Sequence, residues 1–310
     1  MRDTASIGDK GPQWTEIRAA IGAILANKYK GAPSTSPRFL SDQANAAVTS
    51  SDVDAKTFES KNKIAMNILA GAAARQDKTV VEVMPLLHKF IASSSPNSEI
   101  AAQSLGIIVQ DNEFLTTENH AVVKRFYRQW AYNHVAKPLY ELALPSKSDA
   151  STVAKYSTAI LSIVSKCPYT VYEDDLEPLV RLLITALGKQ DDLVNKEISR
   201  RRTVSALEVL VEILSNEPDS LTGHLKPIVT SGTSLYKEVC GEGGSGRQLV
   251  MARKLVLQLL GAIPTKFEER HLLSYAPQMK RMLAMACGDS VREIRRTAIV
   301  ARENWNKIAG

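Results

Sequence analysis

Ala276-Pro-Gln-Met-Lys-Arg-Met-Leu-Ala-Met-Ala-Cys-Gly288 runs directly into Asp289-Ser-Val-Arg-Glu-Ile-Arg-Arg-Thr-Ala-Ile-Val-Ala-Arg-Glu-Asn-Trp305. Two helices and the break between them are written in these thirty residues. Extending back to about Glu268, the residues Leu272, Tyr275, Met279, Met282 and Leu283 recur at spacings of three and four, which puts them on one helical face. Gly288 stops that helix, and Asp289 stands in N-cap position for the next. The second helix carries Val291, Ile294, Ala298, Val300, Ala301 and Trp305 as its apolar content. Two amphipathic helices joined by so short a link must fold back on each other to bury their faces.

Inside the second helix the order Asp289, Ile294, Arg295, Ala298 has a physical reading. The Asp caps the helix and pairs with an Arg of the neighbouring unit, and the small Ala lets two helices approach closely. This is the signature of the second helix of a HEAT repeat. Working backwards, the pairing recurs about every forty residues, the period of a repeat array. Leu221 to Val239 pairs with Arg247 to Ile263 across Gly241-Glu-Gly-Gly-Ser-Gly246, a stretch with no packing ability. Tyr172 to Leu187 pairs with Asn195 to Leu214, where Asp191, Asp192, Arg202 and Ala206 form a looser copy of the motif. Asn119 to Leu144 pairs with Ala150 to Ser165, Thr79 to Ala92 with Ser98 to Val109, and Gln13 to Lys28 with Asp54 to Ala73. The connection Tyr29 to Ser51 is long, polar and rich in Ser, Ala and Pro, and reads as a disordered insertion. Strand signals are nearly absent. The expectation is an all-α solenoid of about six antiparallel helix pairs, one continuous domain over residues 1–310.

Composition agrees with a packed chain: 310 residues, 44% hydrophobic and 23% charged. No window approaches 18 consecutive apolar residues, and Met1 to Pro12 has no basic-then-apolar leader pattern. A soluble protein of the cytoplasm and nucleus, off the membrane, is expected. Cys167, Cys240 and Cys287 are far apart and lack CxxC spacing, so they read as small buried apolar residues in a reducing compartment. Net charge is +6, with peaks at Arg200 to Arg202 and at Arg292, Arg295, Arg296 and Arg302. Such patches meet acidic protein partners or nucleic acid.

Few residues stand at catalytic or metal-ligand spacing. None of His88, His120, His134, His224 and His271 sits at metal-ligand spacing. Asp174-Asp175 and Asp191-Asp192 stand at helix starts, where acidic residues complement the helix dipole. No nucleophile elbow, dinucleotide fingerprint or kinase motif is present, so neither an enzyme nor a cofactor is expected. The run from Lys124 to His134 mixes basic and aromatic residues, a mixture that also marks nucleic-acid binding. Read as a helix, it puts Val123, Phe126 and Trp130 on one buried face and Lys124, Arg125 and Arg128 elsewhere.

The C-terminal block resembles the end of the large HEAT-repeat scaffold of the cytosolic iron–sulfur assembly (CIA) targeting complex, the family of DNA repair and transcription proteins linked to methyl methanesulfonate sensitivity. Pro277, Gln278, Ile294, Arg295, Arg296, Ala298, Ala301, Arg302 and Trp305 occupy the places of the family's closing pattern. The resemblance is strong over about the last 90 residues, and before Asn119 it is one of helix pattern only. Family members are much longer, so the chain looks like their C-terminal domain. The resemblance implies a non-catalytic adaptor that joins a WD40 propeller subunit and a small subunit with a reactive cysteine. Together these pass [4Fe–4S] clusters to client proteins of DNA replication and repair, with no direct nucleic-acid contact by the adaptor. The partner-binding residues expected on this basis are Lys280, Arg281, Arg292, Arg295, Arg296, Arg302 and Trp305. The alternatives are a solenoid that binds nucleic acid, or a transport or phosphatase scaffold.

Overall fold

A computed structural model of the protein describes residues 55–111, 122–143, 149–188, 193–241 and 246–308. Among them all regular structure is helical, with no strand. The chain forms two compact units, Met1–Tyr172 and Glu173–Gly310. The helix expected at Gln13 to Lys28, the insertion Tyr29 to Ser51, the Asp191-Asp192 pair and most of the Gly-rich stretch after Gly241 lie outside the described residues.

In the second unit the helices fall into two layers. First helices are α7 (Leu176–Gly188), α9 (Leu225–Gly241) and α11 (Ala276–Ala286), and second helices are α8 (Lys196–Asn216), α10 (Arg247–Lys266) and α12 (Arg292–Asn306). Each first helix packs on the second helix that follows it, α8 packs on α10, and α10 packs on α12. The ends of the last pair show the antiparallel arrangement: Lys280 Nζ, midway along α11, donates to the carbonyl of Ile308 beyond α12 at 3.0 Å. Three of the first helices' expected starts shift. Glu269–His271, Pro218–His224 and Glu173–Asp175 form 3-10 turns, and the α-helices begin after them. Pro277, in the first turn of α11, explains one such start, since proline is tolerated where its missing N–H has no partner anyway. Asn195 begins α8 by accepting from the N–H groups of Glu197 and Ile198 at 3.0 and 3.2 Å.

The first unit is less regular. Its helices are α1 (Ala55–Ala74), α2 (Lys78–Ala92), α3 (Ser98–Ser104), α4 (Tyr127–Ala131), α5 (Lys137–Leu142) and α6 (Ala150–Val164). A 3-10 turn, Leu105–Ile108, continues α3, and a π turn, Tyr132–Ala136, joins α4 to α5. The single helix expected over Asn119 to Leu144 is thus corrected in two places. Phe126 has φ 62°, left-handed, so no α-helix passes through it and α4 starts at Tyr127. Pro138 has no N–H for the carbonyl four residues back, and the widened π turn falls just before it. Around α6 pack α2, α3, α5 and both irregular turns. Asp149 caps α6 by accepting from the Thr152 N–H at 3.1 Å, and nearly every residue of the helix is buried. Two of its buried hydroxyls bond back along the helix: Thr158 Oγ1 donates to the Ala154 carbonyl at 2.8 Å and Ser162 Oγ to that of Ala159 at 2.9 Å. At Gly106 the 3-10 turn lies so close to α6 that a β-carbon would collide with the Ser162 carbonyl.

Candidate interaction surface at the last helix pair

Asp289 begins the site. Its Oδ1 accepts from the Val291 N–H at 2.8 Å, ordering the entry to α12, while its Oδ2 receives Arg253 Nη1 from α10 at 2.7 Å. Both side chains are almost sealed, at 3% and 9% exposure. The pairing with a neighbouring repeat expected for this Asp is therefore present, 36 residues back along the chain. A buried ion pair contributes little net stability when whole, but removing one partner strands a charge. Lys254 bonds Glu293 beside it, in a more exposed setting.

Two further contacts set α12 against α10. Gly261 meets Ala301 so closely that a β-carbon on Gly261 would overlap the Ala301 methyl and lie 2.9 Å from its Cα. Asn304 Nδ2 donates to the Gly261 carbonyl at 2.9 Å, and Trp305 Nε1 to the Leu260 carbonyl at 2.8 Å. From Arg253–Asp289 to Leu260–Trp305 the contacts advance along both helices together, so α10 and α12 run parallel. The sequence pattern gave roles to Asp289, Ala301 and Trp305 and none to Arg253 or Gly261. A glycine in mid-helix was the available signal for Gly261, because it costs about 1 kcal/mol there unless packing requires it.

The seven residues expected at an interface divide into two groups. Trp305 is 0% exposed, with its indole N–H taken by Leu260, so it fixes the helix from beneath. Arg295 Nη1 donates to the carbonyls of Asp289 and Ser290 at 2.7 and 2.9 Å, holding the turn before α12. Lys280 is spent on Ile308, and Arg281 lies back on its own helix, Nε to the Pro277 carbonyl at 3.2 Å. Arg292, Arg296 and Arg302 are exposed and make no hydrogen bond or ion pair among the described residues. At ~100° per residue Arg292, Arg296, Ile299 and Glu303 share the side of α12 opposite its buried stripe of Ile294, Ala298, Ala301 and Trp305. Ile299 and Val300 stand 47% and 58% exposed among these cations. Val300, part of the apolar content expected of this helix, thus faces solvent.

Elsewhere the structure corrects two readings. Phe126 and Val123, expected in the core, are 68% and 43% exposed, because the left-handed Phe126 leaves the helical face they were assigned to. Cys240 is exposed and Cys287 half-buried; only Cys167 is buried. No group of three His, Cys, Asp or Glu close enough to hold a metal ion occurs among the described residues, and no helix there is long and apolar enough to cross a membrane.

A family model described as RNAPII transcription regulator C-terminal matches residues 18–264. The MMS19 nucleotide excision repair protein homolog of Homo sapiens is 26% identical over 206 residues, 66% of this chain and 18% of that protein. The Bos taurus homolog is 25% identical over the same length. The DNA repair/transcription protein mms19 of Schizosaccharomyces pombe is 22% identical over 252 residues, 79% of this chain and 23% of the relative. The chain therefore spans between 18% and 23% of the length of these curated relatives. The family match reaches well back of Asn119 and stops short of α11 and α12, the block whose motifs carry the resemblance. With most of its length matched, the chain belongs to the MMS19 C-terminal family, described as RNAPII transcription regulator C-terminal.

Proposed function

We propose that this chain is a non-catalytic scaffold of the CIA targeting complex. In this reading it docks the WD40 propeller subunit and the small reactive-cysteine subunit so that [4Fe–4S] clusters reach proteins of DNA repair and replication in cytoplasm and nucleus. Membership of a family whose relatives are named for DNA repair and transcription supports the setting. The observation that carries the docking role is the open side of α12, where Arg292 and Arg296 flank exposed Ile299 and Val300 on a helix pinned from behind by Arg253, Gly261 and Trp305. Unspent arginines beside apolar side chains on a rigid element suit a partner with carboxylates around an apolar patch.

The test mixes the purified chain with both subunits and follows the mass of the complex by size-exclusion chromatography with light scattering. Reversing charge at Arg292, Arg296 and Arg302 together is expected to abolish the complex while leaving helical content and melting temperature unchanged. Assembly that survives this triple reversal would move the docking site off α12. Failure of the unaltered chain to assemble would refute the scaffold reading for this region.

A further inference from the structure

Phe126 and Gln76 are the two non-glycine residues with positive φ among the described residues, at 62° and 55°, and they belong to one node. The Lys124 N–H donates to the Ala74 carbonyl at 2.7 Å, and Gln76 Nε2 donates to the Arg125 carbonyl at 3.2 Å. Thus the turn after α1 grips the segment before α4 just ahead of the strained residue. A bulky side chain in this conformation is unusual, and such strain persists where surrounding contacts over-determine it. The phenyl ring it carries stands in solvent, 68% exposed.

The ring does not stand alone. The Arg125 guanidinium lies 4.8 Å from the Phe126 ring centroid. One residue on, Arg128 lies 5.6 Å from the centroid of the half-buried Tyr127. Two ring–guanidinium pairs therefore occupy consecutive ring positions in the chain, each offering planar surface. Arg128 is tied down by an ion pair with Asp111 and by Nε to the Val109 carbonyl at 3.2 Å. Lys124 and Arg125 are exposed, and Lys78 is exposed two residues beyond Gln76.

We infer that the segment Lys124 to Arg128, set by the turn at Gln76, is a binding site for single-stranded nucleic acid, with Phe126 and Tyr127 as stacking surfaces and Lys124 and Arg125 as phosphate contacts. Bases stack on aromatic rings and on guanidinium planes regardless of sequence, and lysine and arginine beside them track the backbone. A protein pocket for Phe126 would be matched by a broad apolar border. Among the described residues from 122 to 128, exposed Val122 and Val123 supply two small apolar side chains, and the other neighbours of Phe126 in sequence are Lys124, Arg125, Tyr127 and Arg128.

The whole chain is titrated into a fluorescein-labelled oligothymidylate, and anisotropy is read across a range of salt. Binding is expected with a Kd of roughly 1 to 100 µM near physiological salt, weakening as salt rises, with weaker binding to a duplex of equal length. Phe126→Ala should weaken binding by at least about tenfold with the salt slope unchanged. Lys124→Gln combined with Arg125→Gln should make that slope shallower by about 1.4, near 0.7 for each phosphate no longer neutralised. Phe126→Gly separates stacking from folding: it should lose binding like Phe126→Ala while melting no lower than the unaltered chain. The inference is overturned if the folded chain binds no oligothymidylate at low salt, or if Phe126→Ala binds as well as the original. It is equally overturned if Phe126→Ala leaves oligothymidylate binding intact and weakens assembly with the two proposed protein subunits, which would make the ring a protein anchor.

Discussion

The two units use the same element in different ways. In the second, helices repeat: α10 and α12 lie parallel, and one set of contacts, from Arg253–Asp289 to Leu260–Trp305, specifies both their spacing and their direction. In the first, α6 is a buried post around which short helices, a 3-10 turn and a π turn are arranged, and two residues hold left-handed backbone. A repeated unit is defined by side chains that reach the next copy. An irregular one is defined by local backbone geometry, held by contacts that do not recur from one helix pair to the next. The contrast places the second unit's most sensitive single positions at cross-repeat polar contacts, where removing one partner strands a charge, and the first unit's at burial and strain.

The largest effect expected from this contrast is at Arg253. Replacing it with Ala leaves the sealed Asp289 carboxylate without its partner, at a cost of about 3–5 kcal/mol, whereas Lys254→Ala at the neighbouring exposed pair costs less than about 1 kcal/mol. Urea unfolding, with amide exchange followed in α12, measures both; similar costs for the two would break the distinction. Next comes His88 in the first unit. Burial pushes its imidazole from 6.5 down to about 4, so it is neutral in the folded chain. Below about pH 6.5 the unfolded chain takes up a proton that the folded one refuses. Stability is therefore complete above that pH and falls as pH drops toward 4, by about 3 kcal/mol in all. The drop between about pH 7 and pH 4.5 should be smaller in His88→Gln by most of that amount, and equal drops in the two proteins would exclude His88 as the cause. The smallest effect is at Phe126, where Gly removes the left-handed penalty and should raise stability by about 1 kcal/mol. Destabilisation by the same change would show that the ring packs against something, and the contrast would lose its strained half.

The legibility of each part follows from the same difference. Helix pairing in the second unit was visible because periodic leucines and a capping Asp are local signals, and the partner of Asp289 was foreseeable in kind because the motif places an Arg in the adjacent repeat. Which Arg was not visible, since Arg253 has no mark that separates it from exposed basic residues. For the terminal site, the sequence marked arginines by their density, while the structure separates Arg295, spent on two carbonyls, from Arg292 and Arg296, which are not. Phe126 carries no such mark. Its spacing from Trp130 is helical, and nothing in a side-chain pattern announces a left-handed backbone at a phenylalanine.

The cross-repeat contacts of α12 have a direction in time. Arg253, Lys254, Leu260 and Gly261, the residues that receive it, all precede it in the chain. A ribosome therefore releases the mould before the cast: when Asp289 emerges, the arginine that neutralises it is already out, and Trp305 arrives at a surface that exists. Each pair of the unit can thus close on its predecessor as it appears, without waiting for a distant part of the chain to be made.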